Sequence, residues 1–145
     1  MSLMKNNHRV MAIDYGYART GVAVSDASAT LTGETWVIHE PRLKTLAQTI
    51  TSEAEARGVG VIVVGYPKNM NGTIGPRAEK SEQLAGALRN LSSIEVKLWD
   101  ERMTTMQAGR ILNETGKRGK KRKNTIDAVA ASLILENYLS RQATT

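Results

Sequence analysis

Residues 59 to 64, Val-Gly-Val-Ile-Val-Val, form an almost unbroken β-branched run, and there are few ways to bury such a segment. A strand with water on one face alternates apolar and polar residues. A run without alternation belongs to a strand covered on both faces, as in the parallel part of a sheet flanked by helices. The run is therefore expected near the centre of an α/β sheet, and the rest of the chain can be read outward from it. Upstream, residues 9 to 15 are a short apolar run ending at Gly16, and residues 21 to 26 are a second run of strand length. The glycine-bounded segment Gly16–Gly21 makes these two an antiparallel hairpin, to which Thr35–His39 adds a third strand.

The helices follow from a change of period. From Arg42 to Arg57, residues Leu43, Leu46, Ala47, Ile50 and Ala54 recur at helical spacing, with Gly58 placed to cap the carboxyl end. A loop carrying Pro67, Asn69, Asn71, Gly72 and Gly75 leads to a second helix, with Pro76 in its first turn and the stripe Leu84, Ala85, Leu88 and Leu91. Ile94–Trp99 is a fifth strand, ending in Asp100-Glu101-Arg102. Thr104 or Thr105 can cap a third helix, which Gly116 stops after about Thr115. The last helix is expected from Thr125 to Leu139, with Asn124 as N-cap and Ile126, Val129, Ala130, Leu133 and Ile134 at apolar spacing. The order β-β-β-α-β-α-β-α-α implies an α/β fold: a five-stranded mixed sheet whose first three strands are antiparallel, with helices on both faces.

At 145 residues and 41% hydrophobic composition the chain suits one compact domain, expected over residues 4–141, with 1–3 artificial residues ahead of Met4 and 142–145 a tail. The absence of Cys removes disulfide frameworks, thiolate metal sites and cysteine nucleophiles, and it points to a reducing compartment, so a cytoplasmic location is expected. No apolar run approaches the ~20 residues of a membrane span, so no membrane partner is expected. The net charge of +6 is concentrated. Lys117, Arg118, Lys120, Lys121, Arg122 and Lys123 supply six of the 20 basic residues, and the remaining 14 match the 14 acidic ones. Such a run is either a solvated stretch or a track for a polyanion.

Three carboxylates sit where an ordinary fold has no need of them. Asp14 continues the apolar strand Val10–Ile13, although it also suits the start of the turn at Tyr15-Gly16. Asp127 shares a stripe with Ala130, Ala131, Ile134 and Tyr138, which turns it toward the body of the protein; an acid in a first turn also complements the helix dipole. Glu101 stands at the carboxyl end of the fifth strand, where open α/β sheets tend to place their sites, and where a solvated charge is also at home. Asp100, its neighbour, is a rival: strict alternation turns it toward the face of Val96 and Leu98. His8 and His39 lie in a terminus and a turn, there is no Gly-x-Ser-x-Gly elbow, and Gly65-Tyr-Pro-Lys lacks the end of a phosphate-binding Walker loop.

The segments Ala12-Ile-Asp-Tyr-Gly-Tyr-Ala-Arg-Thr-Gly-Val-Ala-Val-Ser-Asp26, Gly65-Tyr-Pro-Lys-Asn-Met-Asn-Gly72, Asp100-Glu-Arg-Met-Thr-Thr105 and Ile126-Asp-Ala-Val-Ala-Ala131 together closely resemble the YqgF family, also called RuvX and described as Holliday junction resolvases. The resemblance covers nearly the whole chain, in the family's order and spacing. It implies an RNase H-like fold and an acidic metal-binding triad at Asp14, Glu101 and Asp127. The family is also linked to maturation of small-subunit ribosomal RNA, so branched DNA and structured precursor rRNA are both expected substrates. Tyr66 departs from the Leu common in the family, which bears on substrate detail rather than chemistry.

The expected function is thus a metal-dependent endonuclease, with Asp14, Glu101 and Asp127 as catalytic ligands of Mg²⁺ or Mn²⁺. Arg19 and Arg102, each beside a proposed ligand, are candidates for the scissile phosphate or for pairing with those carboxylates. The basic run would hold the backbone; if all six cations met phosphates on duplex DNA, log K would fall against log salt with a slope of roughly −5. The chain is expected as a monomer or homodimer, a symmetric junction favouring the latter. One competing class is a nucleic-acid or ribosome-binding protein without turnover. Another is a phosphotransferase of the sugar-kinase and actin type, which needs two lobes where this chain has length for one.

Overall fold

The computed structural model describes residues 8–16, 18–69, 71–100 and the backbone of 119–143, with side chains in that last segment from 128 to 142. The described elements are β1 (Arg9–Asp14), β2 (Thr20–Ser25), β3 (Thr32–Ile38), α1 (Leu43–Ala56), β4 (Val59–Tyr66), α2 (Pro76–Leu91), β5 (Glu95–Asp100) and α3 (Gly119–Ala143). They form one five-stranded sheet in the order β3-β2-β1-β4-β5. Strands β1, β2 and β3 pair antiparallel, whereas β4 and β5 run parallel to β1. The fold is the mixed α/β sheet expected, and the β-branched run of β4 lies inside it, between β1 and β5.

Strand alternation divides the core into two layers. Met11 and Ile13 of β1, Val22 and Val24 of β2, Ile62 and Val64 of β4 and Val96 of β5 turn to one face, where Leu46, Ala47, Ile50 and Ala54 of α1 and Leu84, Ala85 and Leu88 of α2 cover them. Val10, Ala12, Ala23 and Val63 turn to the other face, under Ala131, Ile134, Leu135, Tyr138 and Leu139 of α3. β4 is covered on both sides, which is why it tolerates no polar alternation. Gly58 closes α1 at φ +68°, the left-handed conformation in which a glycine has no side chain to strain.

The end of α3 identifies which pole of the sheet it covers. Tyr138 accepts a hydrogen bond from Lys97 Nζ at 3.1 Å, and Trp99 Nε1 donates to Asn137 at 2.9 Å. Tyr138, Leu139 and Gln142 border a groove with His8 and Val10, at the start of β1, and with Ser28, Ala29 and Thr30 in the β2–β3 turn. That turn is closed by Asp26, whose carboxylate accepts from the backbone N–H of Thr30 at 2.9 Å and of Leu31 at 3.3 Å. These bonds hold the Asp26 carboxyl below its usual range. The carboxyl end of α3 thus borders the start of β1 and also reaches β5, while the helix as a whole packs on β2, β1 and β3.

Four expectations need correction. The last helix starts at Gly119 rather than Thr125, so Lys120–Lys123 are helical: Lys and Arg are good helix formers and Asn124 is not a barrier within a long helix. Its buried side is set by Leu135 and Leu139 as well as Ile134, with Leu133 only half-buried. Leu91 ends α2 at 44% exposure, one turn past the core. β3 begins at Thr32 and ends at Ile38, because an edge strand can carry Gly33, Glu34 and Thr35 toward water while its ladder still pairs with β2. The expected helix from Thr104 or Thr105 to Thr115 lies outside the described residues.

Candidate active site at the end of the central strand

Asp14 is the last residue of β1, opposite Gly21 of β2. It shares the parity of Val10 and Ala12, so it belongs to the sheet face that α3 covers. It is half-buried, at the carboxyl ends of the parallel strands β1, β4 and β5. The hairpin that follows is tight: a Cβ on Gly16 would lie 2.5 Å from the Arg19 carbonyl oxygen, so only glycine lets the chain turn directly after Asp14. Arg19, half-buried, leads into β2 on the other side of this turn.

Of the other expected site residues, Lys120, Lys121, Arg122, Lys123 and Asp127 have their backbone in α3, the four cations about one to two turns ahead of Asp127. Glu101, Arg102, Lys117 and Arg118 lie outside the described residues. Asp100 ends β5 with the parity of Val96 and Leu98, on the face away from α3. Among the described residues no group of three His, Cys, Asp or Glu forms a metal cluster. The donor set proposed from the sequence is oxygen only, which suits a hard cation such as Mg²⁺ and excludes a thiolate site.

Two sets of contacts near Asp14 escaped the sequence reading, although it had singled out Tyr66 itself. Tyr15 and Gly16, with Arg77 and Lys80 of α2, line a small cleft that is open to solvent. Tyr15 packs against the α1/α2 core, and that burial pushes its phenol up. Arg77 and Lys80 are three residues apart near the start of a helix, a spacing visible in the sequence but without meaning until β1 is placed beside α2. The second set is that of Tyr66, at the end of β4, whose hydroxyl donates to the Glu82 carboxylate of α2 while Lys68 Nζ lies 5.7 Å from its ring centre.

The Tyr66–Glu82 bond pushes the Tyr66 phenol up to about 12 from 10.0, since ionisation would set a phenolate against a carboxylate. A raised folded value means that this bond stabilises the fold fully below pH 10 and is lost as pH rises toward about 12. Alkaline titration followed by ultraviolet difference absorbance should show a tyrosine step near pH 12, and Tyr66→Phe should delete it. A retained step in the variant would assign it to another tyrosine.

Comparison with known proteins agrees with this architecture. The profile of the RuvX family, described as Holliday junction resolvase, matches residues 8–141. A protein of Geobacillus thermodenitrificans, provisionally named a pre-16S rRNA nuclease, is 47% identical over 133 residues, covering 90% of this chain and 96% of the relative. One of Halothermothrix orenii, with the same provisional name, is 43% identical over 135 residues, covering 92% and 96%. Among solved structures, Thermus thermophilus RuvC in complex with a Holliday junction substrate superposes with a TM-score of 0.58 at 17% identity, covering 94% of this chain and 97% of that one. The Fowlpox virus resolvase bound to Holliday junction DNA does so at 0.56 and 10% identity, covering 92% and 98%. The solved structures share the fold, the sequence relatives share much of the chain, and no described helix is long and apolar enough to cross a membrane. On these grounds, with the mixed sheet and the strand-end carboxylate already in place, the chain belongs to the RuvX (YqgF) family of RNase H-like proteins.

Proposed function

We propose that the chain is a divalent-metal-dependent endonuclease whose active centre is built by Asp14, Glu101 and Asp127 at the carboxyl end of β1. The observation that carries this reading is the register of α3 against β1. From Tyr138, beside the start of β1, α3 rises about 16 Å to reach Asp127. From Val10 to Asp14, β1 advances about 13 Å. The two lengths are similar, which supports pairing an acid of α3 with the strand-end acid of β1. Strand parity supports Glu101 over Asp100 as the third member, since Asp100 belongs to the face away from Asp14.

Mg²⁺ or Mn²⁺ held by these carboxylates would supply an acidified water and neutralise charge on the leaving oxygen. The protein's own share is positional. Asp14, fixed by β1 and the Gly16 turn, presents its carboxylate at a set height above the sheet. Lys117, Arg118 and Lys120–Lys123 draw the phosphate backbone toward the start of α3, and Arg19 and Arg102 receive the scissile phosphate. Phosphate contacts of this kind fix position without reading sequence, so selectivity is for the shape of a branched or folded substrate. A symmetric junction cut on opposing strands would require two copies related by a two-fold axis, whereas a precursor rRNA end requires only one.

The names of the relatives point to precursor 16S rRNA and the family description to Holliday junctions, so both belong in one experiment. A labelled four-way junction and a labelled precursor rRNA fragment are incubated with the chain in Mg²⁺, Mn²⁺ or chelator. Cation-dependent cutting of at least one, abolished by chelator, is expected, and the product ends identify the bond broken. A chain that binds both and cuts neither with any cation is a binding module instead.

A further inference from the structure

We propose that the cleft between Tyr15, Gly16, Arg77 and Lys80 is a second anion subsite, which holds the backbone phosphate adjacent to the bond cut at Asp14. The inference rests on the reading of Asp14 as part of the active centre and adds to it the residues that fix the neighbouring backbone.

The first support is distance. Tyr15 and Gly16 follow Asp14 directly, so the cleft wall begins about 4 to 7 Å along the chain from the proposed ligand. Phosphates of one strand advance about 3.4 Å per nucleotide along the duplex axis and stand further apart along the backbone, so the adjacent one falls within that reach. Tyr15 has the parity of Met11 and Ile13 and packs with the α1/α2 layer, while Asp14 belongs to the α3 face. A strand laid over the tip of β1 therefore passes from the carboxylate on one side to the cleft on the other.

The second support is how α2 sorts its charges. Its buried stripe is Ala78, Ser81, Leu84, Ala85 and Leu88. At about 100° per residue, Lys80 stands on one flank of that stripe and Glu82 on the opposite flank, with Glu79 directed away from the core. Glu82 is held by Tyr66 on its own flank. Lys80 and Arg77 share the cleft with Tyr15, so α2 contributes two cations to this side. The pairing of one guanidinium with one ammonium suits a phosphate, the first as a two-pronged donor and the second as a compact charge.

The test uses the full chain with Arg77→Gln/Lys80→Gln, both exposed positions, and the substrate that the unaltered chain cuts. KM should rise about tenfold with kcat within about twofold, and the slope of log K against log salt should become shallower by roughly 1 to 2. Neutral methylphosphonates placed singly on either side of the cut then locate the contact. One of them should weaken binding by the unaltered chain, and the same one should cost the double variant nothing further. The single variants Arg77→Gln and Lys80→Gln serve if the double variant is not folded by its melting curve. Unchanged KM and salt slope, or methylphosphonate effects that add fully to the variant's, overturn the subsite. Asp14→Asn is run alongside. If it still cuts, the active centre falls and this inference with it; if it is inactive while the cleft variant matches the unaltered chain, the subsite alone falls.

Discussion

Asp14→Asn should lower single-turnover cleavage by about a thousandfold or more while leaving substrate affinity unchanged or slightly higher. The substitution keeps size and hydrogen-bonding shape at the end of β1, so the half-buried site should tolerate it and the melting temperature should stay close to that of the unaltered chain. What it removes is one full negative charge from an oxygen-only donor set. The stabilisation supplied at such sites is several kcal/mol, and each ~1.4 kcal/mol is tenfold in rate. Affinity moves the other way, because an anionic side chain beside a phosphate backbone repels it and an amide does not. The two measurements are single-turnover cleavage with Mg²⁺ and binding by fluorescence anisotropy in chelator. Cutting within tenfold of the unaltered chain would show that Asp14 is only the start of a turn, the reading that the Tyr15-Gly16 sequence also allows.

How far such a result was foreseeable differs from element to element. The β-branched run of β4 forced a strand covered on both faces, and no other local pattern competes with it, so its interior place was legible. The half-buried place of Asp14 at the end of β1 was legible for the same kind of reason, since it prolongs a buried strand, and a carboxylate there has a cost that something must offset. Gly58 declared the end of α1 because few residues other than glycine suit φ +68°. The start of α3 was misread because Asn124 is a good cap and an equally tolerable interior residue; the choice depends on whether Gly119–Lys123 gains more as helix than as loop, which is not a local property. Leu91 and Leu133 fit their helical periods and yet lie outside the dry layers, since periodicity gives a face and not the extent of the surface it meets. The Tyr15–Arg77–Lys80 cleft was invisible for a further reason: it joins residues some sixty positions apart, and only the β1–β4 crossover and the packing of α2 bring them together.

The same packing logic gives the second large effect, at a residue that touches no substrate. Ala12 of β1 and Ala23 of β2 are direct cross-strand partners, both fully buried, on the face that receives Ala131, Ile134 and Leu135 of α3. Two adjacent alanines let a helix seat closely on a sheet. Ala12→Leu would add a branched side chain where no space exists, an overpacking that costs about 1–3 kcal/mol. For a chain of this size that corresponds to a fall in melting temperature of roughly 3–10 °C. The helix must also lift or slide, and with it Asp127, whereas Asp14 stays with the sheet. A displacement of about 1 Å between groups that act together can cost ~10²-fold in rate, so cleavage should fall by about that much with binding little changed. Ile62→Val on the opposite face is the matched control. It removes one methylene from the layer under α1 and α2, lowers stability by about 0.5–1.5 kcal/mol, and should leave cleavage near normal because α3 does not rest there. If Ala12→Leu cuts normally, or if Ile62→Val loses as much activity for its smaller loss of stability, then the seating of α3 on the Ala12–Ala23 pair does not set the distance between the two acids.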